Sequence, residues 1–498
     1  MTKRIYLLLM AVFYTSLSSG QKNLNIFTDS EDVGAVIKTG SAKYEEGEQI
    51  FEISGAGANI WFDKDEFQFA YKKTSGNFIL RTRAKFIGEG VNAHRKMGWM
   101  VRESTDTDAA MVCATVHGDG LTSLQYRKEK GGQVEEILSP VKHPQIIQLE
   151  RRNGSFLMSV AKLGDPFWTV ELPHLQFPEE MLTGLFVCSH EENVVEKALF
   201  ENTRIVIPAP KELVPYRDYL GSHLEIMNIE TGKRKILHSV TNSIQAPNWT
   251  PDSKTLIYNS EGLLFTYDLE SGKIEQLNTD FVQSNNNDHV LSFDGKMLGI
   301  SSASGEEEYG SLIYTVPVEG GTPKRITPIG PSYLHGWSPD GKWLTYTGGR
   351  NGIYDIYKIS SDGNGDEIQL TQQTTLDDGS EYSPDGKYIY FNSARTGSME
   401  LWRMLPDGSK QEQLTHDAYQ NWFPHISPDG KSIVFISYMP EVPAGDHPFY
   451  KQVYLRSMPI NGGPIKVIAY LYGGQGTINV PSWSPDGKYI AFISNTQL

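Results

Sequence analysis

Apolar and polar residues alternate with a period of two over much of the chain, and no long stretch carries a helical period. From Asn77 to Phe86, the residues Phe78, Leu80, Thr82, Ala84 and Phe86 fall on one side, with Asn77, Arg81, Arg83 and Lys85 on the other. Residues 145–150 and 156–161 read as strands joined through Asn153-Gly154, a dipeptide suited to a tight hairpin. Gly118-Asp119-Gly120 marks a second hairpin, between 111–116 and 121–126. Many short strands separated by polar turns predict a two-sheet β-sandwich over residues 22–207. Pro208-Ala209-Pro210 and Pro215 then punctuate a linker over residues 208–219.

From residue 220 a longer regularity takes over. Ser338-Pro339-Asp340-Gly341 returns at Ser383-Pro384-Asp385-Gly386, Ser427-Pro428-Asp429-Gly430 and Ser484-Pro485-Asp486-Gly487. Variant copies stand at Ser292-Phe293-Asp294-Gly295 and Thr250-Pro251-Asp252-Ser253. The spacing is mostly in the mid-forties, the size of a four-stranded propeller blade. Six such turns occur, but the first outer strand pair, 223–237, precedes any inner strand, and the last inner pair, 480–494, has no outer strands after it. The two chain ends must therefore share a blade, which closes the ring and removes its free edge. The expectation is an all-β protein: a sandwich, then a six-bladed β-propeller over residues 220–498 closed by its N- and C-terminal strands.

Composition narrows the partners. A chain of 498 residues is too long for one ordinary core. A net charge of −15 argues against nucleic acid and anionic membrane surfaces, while leaving room for a small anion held by local arginines. At the N-terminus, Lys3-Arg4, the apolar run 5–13 and Ser18-Ser19-Gly20 describe a secretory signal peptide over residues 1–20. The expected product is periplasmic or secreted, without a membrane anchor. Cys113 and Cys188 each sit in an apolar strand-like run and read as buried thiols rather than a bridge.

Strand direction reverses at every turn, so the segments leading into the inner strands share one mouth of the channel with the connections between strands two and three. This mouth is expected to collect Asn287, Asp288, His289, His335, Asp378, Asn421, Trp422, His425, Gln475 and Asn479. Arg350, Arg395 and the insertion 439–449, with His447, belong to the same face. Histidine moves protons near neutral pH, so His289, His335 and His425 are candidate acids or bases, with Asp288 and Asp378 orienting them. Arg350 and Arg395 suit a carboxylate or sulfate. Asn287, Asn421, Trp422, His447, Gln475 and Asn479 are candidates to hold a bound substrate. A divalent metal stays an open option, because the histidine spacing matches no metal motif. No Gly-x-Ser-x-Gly elbow and no His-Glu-x-x-His pair is present. Gly473-Gly474-Gln475-Gly476 precedes a strand rather than a helix, so it is no phosphate loop.

Trp337-Ser338-Pro339-Asp340-Gly341-Lys342 and Trp483-Ser484-Pro485-Asp486-Gly487-Lys488 resemble the repeats of TolB-like propellers, a group that includes propellers of the oligogalacturonate lyase kind. Lys96-Met97-Gly98-Trp99-Met100-Val101-Arg102 and its neighbours resemble concanavalin-like jelly-roll domains. The resemblance implies an exported carbon–oxygen lyase or dehydratase that performs elimination on anionic, uronic-acid-containing oligosaccharides of the pectin or ulvan type. The alternative it leaves open is a non-catalytic TolB-like periplasmic module that binds a partner protein or a glycan.

Overall fold

The computed structural model describes residues 23–305 and 309–498, so the predicted signal peptide lies outside the described residues. Every regular element among the described residues is a strand. The N-terminal half forms two seven-stranded antiparallel sheets. One runs, in spatial order, Asp29–Val33, Phe67–Ser75, Glu180–Cys188, Lys96–Arg102, Met111–His117, Thr122–Arg127 and Glu135–Leu138. The other runs Trp168–Leu172, Ser155–Ala161, Ile146–Arg152, Phe78–Ile87, Glu191–Val206, Ile50–Gly57 and Ser41–Glu45. Phe51, Leu80, Leu149, Trp99 and Leu185 from the two inner faces meet in one buried cluster, the packing that an alternating strand pattern dictates. Cys113 and Cys188 are free, buried thiols, each pushed up to about 11 by desolvation.

The C-terminal half is a ring of six sheets. Five are four-stranded, with inner strands Gln245–Trp249 (blade 1), Asn285–Leu291 (blade 2), Ser332–Trp337 (blade 3), Asp377–Tyr382 (blade 4) and Gln420–Ile426 (blade 5). Blade 6 is built from both ends: Gly221–Asn228 pairs with Tyr489–Thr496 from Gly221↔Thr496 to Asn228↔Tyr489, and Arg234–Val240 lies outside. The innermost strand of that blade is reduced to a single bridge, Trp483↔Ile490.

The repeated turn has a shared hydrogen-bond logic. In blade 3 the Ser338 hydroxyl donates to Asp340 at 2.6 Å and accepts from Trp343 N at 2.9 Å. Asp340 accepts from Lys342 N at 3.1 Å, and Gly341 takes φ +73°, where a Cβ would be strained. Ser292–Asp294, Ser383–Asp385, Ser427–Asp429 and Ser484–Asp486 repeat the hydroxyl–carboxylate bond. Trp337 and Trp483 then tie blade to blade by donating to Val290 O and His425 O, each at 3.0 Å.

The outer face of strand Phe78–Ile87 does not meet solvent throughout. Ile79 packs with Leu220, Phe449, Tyr450 and Tyr472 of the propeller side, and Arg81 Nη1 donates to Tyr470 O at 2.5 Å. Gln452 bridges Gln148 and Glu150 at 3.0 and 2.9 Å, and Glu225 receives both Arg204 and Arg234, at 2.7 and 2.6 Å. The two halves are thus docked through a buried polar seam. No helix among the described residues is long and apolar enough to cross a membrane.

Candidate functional site

Each inner strand carries a register shift just above the channel: Gln245/Asn248, Asn285/His289, Leu334/Gly336, Asp378/Glu381 and Trp422/His425. A β-bulge adds unpaired residues and re-aims side chains. At blade 4 the bulge uses Gly379, at φ +64°, where a Cβ would sit 2.4 Å from Asn392 Oδ1. These bulges open a cavity of about 1070 Å3 at the mouth of the ring.

Asp378 anchors its floor. It accepts His335 Nε2 at 3.0 Å, Thr347 Oγ1 at 2.5 Å and Gly379 N at 2.8 Å. Burial alone would raise this carboxyl, but the His335 charge and these bonds outweigh it and hold it at about 2. For His335, burial works against the imidazolium, yet Asp378 and Asp288 raise it above its ordinary value. Its ring lies over Phe423 at 5.8 Å and 28°.

Asp288 is different. It is 5% exposed, and among the described residues its carboxylate accepts no hydrogen bond. Burial, joined by the Asp378 charge and only partly opposed by His335, pushes it up to about 7. Beside it runs an amide chain. His447 Nδ1 lies 2.6 Å from Gln475 Oε1, which also accepts Asn479 Nδ2 at 2.9 Å. An amide oxygen only accepts, so His447 Nδ1 carries the proton in this contact. Gln475 Nε2 reaches toward Asn287 Oδ1 at 3.5 Å.

Seven of the predicted residues therefore line one cavity: Asn287, Asp288, His335, Asp378, His447, Gln475 and Asn479. Six do not. His289 is fully buried toward Ile257 O at 3.4 Å, and desolvation pushes it down to about 4, so it is a neutral packing residue. His425 is fixed by Glu381 at 2.7 Å and Ile478 O at 2.6 Å. Arg350 forms a two-pronged pair with Glu367 at 2.8 and 2.7 Å and lies over Tyr357. Arg395 pairs with Asp377 at 2.6 Å and lies 4.6 Å from the Trp402 ring centre. Asn421 donates to Glu400 of blade 4 and accepts from Ser437 of its own blade, and Trp422 is fully buried beneath the ring of His447. Both arginines are thus spent on ion pairs within their own blades, and among the described residues no lysine or arginine lines the cavity.

Sequence reasoning missed the aromatic wall: Tyr216 and Tyr219 from the linker, Tyr333, Tyr354, Phe423 and Phe449. Tyr333 was legible in principle, since it stands two residues before His335 on the same strand face. Among the described residues no group of three or more His, Cys, Asp or Glu side chains is gathered as a metal site. The divalent metal left open by the sequence thus has no ligand set there.

Residues 330–442 match the family model described as "TolB beta propeller domain". An uncharacterized protein of Agrobacterium fabrum, Atu1656, is 46% identical over 276 residues, 55% of this chain and 92% of the relative. The chain belongs to the TolB-type β-propeller family. A solved structure from Agrobacterium tumefaciens, assigned provisionally to TolB, is 44% identical with a TM-score of 0.54 and covers 56% of this chain and 100% of that one. The TolB-type ring here is also similar to an oligogalacturonate lyase in complex with manganese, at 12% identity and TM-score 0.37 over 54% of this chain and 78% of that one. That likeness is too slight to carry an activity to the TolB-type mouth.

Proposed function

We propose that the protein is an exported TolB-type binding module whose propeller mouth receives an extended, positively charged segment of a partner protein. The observation that carries this is Asp288: a nearly buried carboxylate, facing a cavity, with, among the described residues, no donor of its own and no cationic neighbour but His335. A buried charge without a partner is costly, and a ligand ammonium or guanidinium would supply one. Tyr216 and Tyr333 line the same cavity, near enough for the Asp288 charge to act on their hydroxyls, and aromatic rings there favour a cation. The amides of Asn287, Gln475 and Asn479 both donate and accept, as a peptide backbone requires. The cavity, at about 1070 Å3, lies at the upper limit of small-molecule sites, which run to roughly 1000 Å3.

Calorimetric titration with equal-length synthetic peptides carrying Lys, Gln or Glu tests the proposal. The lysine peptide should bind at least tenfold more tightly than the glutamate peptide, and Asp288→Asn should abolish the preference. Equal affinity for all three peptides would sink it. Elimination from uronic-acid oligosaccharides rests on the same carboxyl, since a group titrating near 7 is a competent base. That chemistry lacks a lysine or arginine among the described residues of the mouth to neutralise the substrate carboxylate, and the imidazolium there, His335, is already held by Asp378. Ultraviolet absorbance from an unsaturated product on a uronate panel would favour it over binding.

A further inference from the structure

A second cavity, of about 300 Å3, lies in the seam between the sandwich and the propeller. Arg81 and Arg83 reach it from strand Phe78–Ile87, Arg234 from blade 6 and Lys466 from blade 5, against one acidic residue, Glu230. Arg83 and Arg234 have carboxylate partners, Glu201 at 3.5 Å and Glu225 at 2.6 Å.

Arg81 has none. It is 5% exposed, donates through Nε to Gln148 at 2.8 Å and through Nη1 to Tyr470 O at 2.5 Å, and its Nη2 makes no hydrogen bond among the described residues. The same carbonyl of Tyr470 also accepts Arg234 Nη1 at 3.3 Å, so two guanidinium groups converge on one neutral oxygen. Glu150, the carboxylate that acts on Arg81 from a distance, is engaged by Arg152 at 2.8 Å and Gln452 at 2.9 Å. Burial and the charge of Arg234 together push Arg81 down to about 9, the mark of a cation short of counter-charge. The ammonium of Lys466 is exposed at the rim and has no ion pair among the described residues.

From this we infer that the seam cavity is a binding site for a small oxyanion, a phosphate or sulfate group, held by Arg81 beside the Arg234–Glu225 pair and closed over by Lys466. A guanidinium presents parallel donors that match two oxygens of such a group. The ligand would bridge both halves of the chain, and a species that binds only the docked state stabilises it.

Isothermal titration at fixed ionic strength, with chloride as the control anion, tests the site using sulfate, inorganic phosphate and glucose 6-phosphate. One-to-one binding of the free ions, or of the ester alone, supports the site and distinguishes its two sources. Lys466→Gln, a surface change that leaves the fold intact, should weaken binding about threefold to tenfold, and Arg81→Gln should weaken it at least tenfold. Heat absent for all three probes, or affinities unchanged in Lys466→Gln and in any Arg81→Gln protein that folds, would overturn the inference.

Discussion

Replacing Asp288 with asparagine should stabilise the protein, and only above acidic pH. The carboxyl stands at about 7 in the fold against 3.8 for the ordinary group. At roughly 1.4 kcal/mol per pH unit, its ionisation costs the folded state about 4 kcal/mol once both states are charged. The direction follows from proton counting. Below pH 4 the group is protonated in both states and costs nothing. Between pH 4 and 7 the unfolded chain releases its proton while the fold retains it, so stability falls as pH rises. Above pH 7 both states are ionised and the cost is constant. Asparagine keeps the shape without the charge. The difference between variant and native protein should therefore grow from near zero at pH 4 to a plateau of about 4 kcal/mol above pH 7. Urea unfolding followed by tryptophan fluorescence at pH 4, 5.5, 7 and 8.5 reads this difference. A variant less stable than the native protein at pH 8.5, or a gap independent of pH, would refute the electrostatic reasoning. A site that withholds stability from its own fold in this way is what a binding surface awaiting a counter-charge looks like.

Asp378→Asn should act with the opposite sign, because that carboxyl is held at about 2: the variant loses stability at pH 7, and its deficit narrows as pH falls toward 2, measured in the same urea series. Glu225→Gln leaves Arg204 and Arg234 buried with one neutral partner between them and should cost about 3–5 kcal/mol, visible as an earlier thermal transition. His425→Ala removes the bonds to Glu381 and Ile478 O and should destabilise by about 2–3 kcal/mol, while peptide affinity at the mouth stays within twofold by calorimetry.

The ring was readable from sequence because its information is local. A serine, an aspartate and a glycine within four residues close five of the six turns by their own hydrogen bonds, with Thr250 and Asp252 doing the same in the first, and the offset between the first outer pair and the last inner strand dictates how the ring shuts. The mouth was only half readable because bulges decide which side chain faces it. His289 and His335 occupy equivalent places in the repeat, three residues before the turn serine. In blade 2 the bulge spans the residues between Asn285 and His289, so Asn287 and Asp288 take the channel side and His289 turns into the blade. In blade 3 the shift falls between Leu334 and Gly336, and His335 itself is the extra residue. In blade 5 it lies between Trp422 and His425, bringing Phe423 to the cavity and His425 to Glu381. A difference of one or two residues in bulge position leaves no mark on composition. The arginines misled for a related reason: Glu367 and Asp377 neutralise them across strands of their own blades, a pairing that register alone reveals.

The most direct measurement of the central claim, that ionised Asp288 holds a cationic segment in the mouth, is the affinity of the lysine peptide as a function of pH. Lysine stays protonated throughout, so affinity should follow the charges of Asp288 and its neighbour His335, and as Asp288 ionises it should rise at least about tenfold from pH 6 to pH 8. The same curve in Asp288→Asn should be weak throughout and lack the rise that Asp288 supplies. Affinity in the native protein that is constant over this range, or that strengthens as pH falls, would contradict the account.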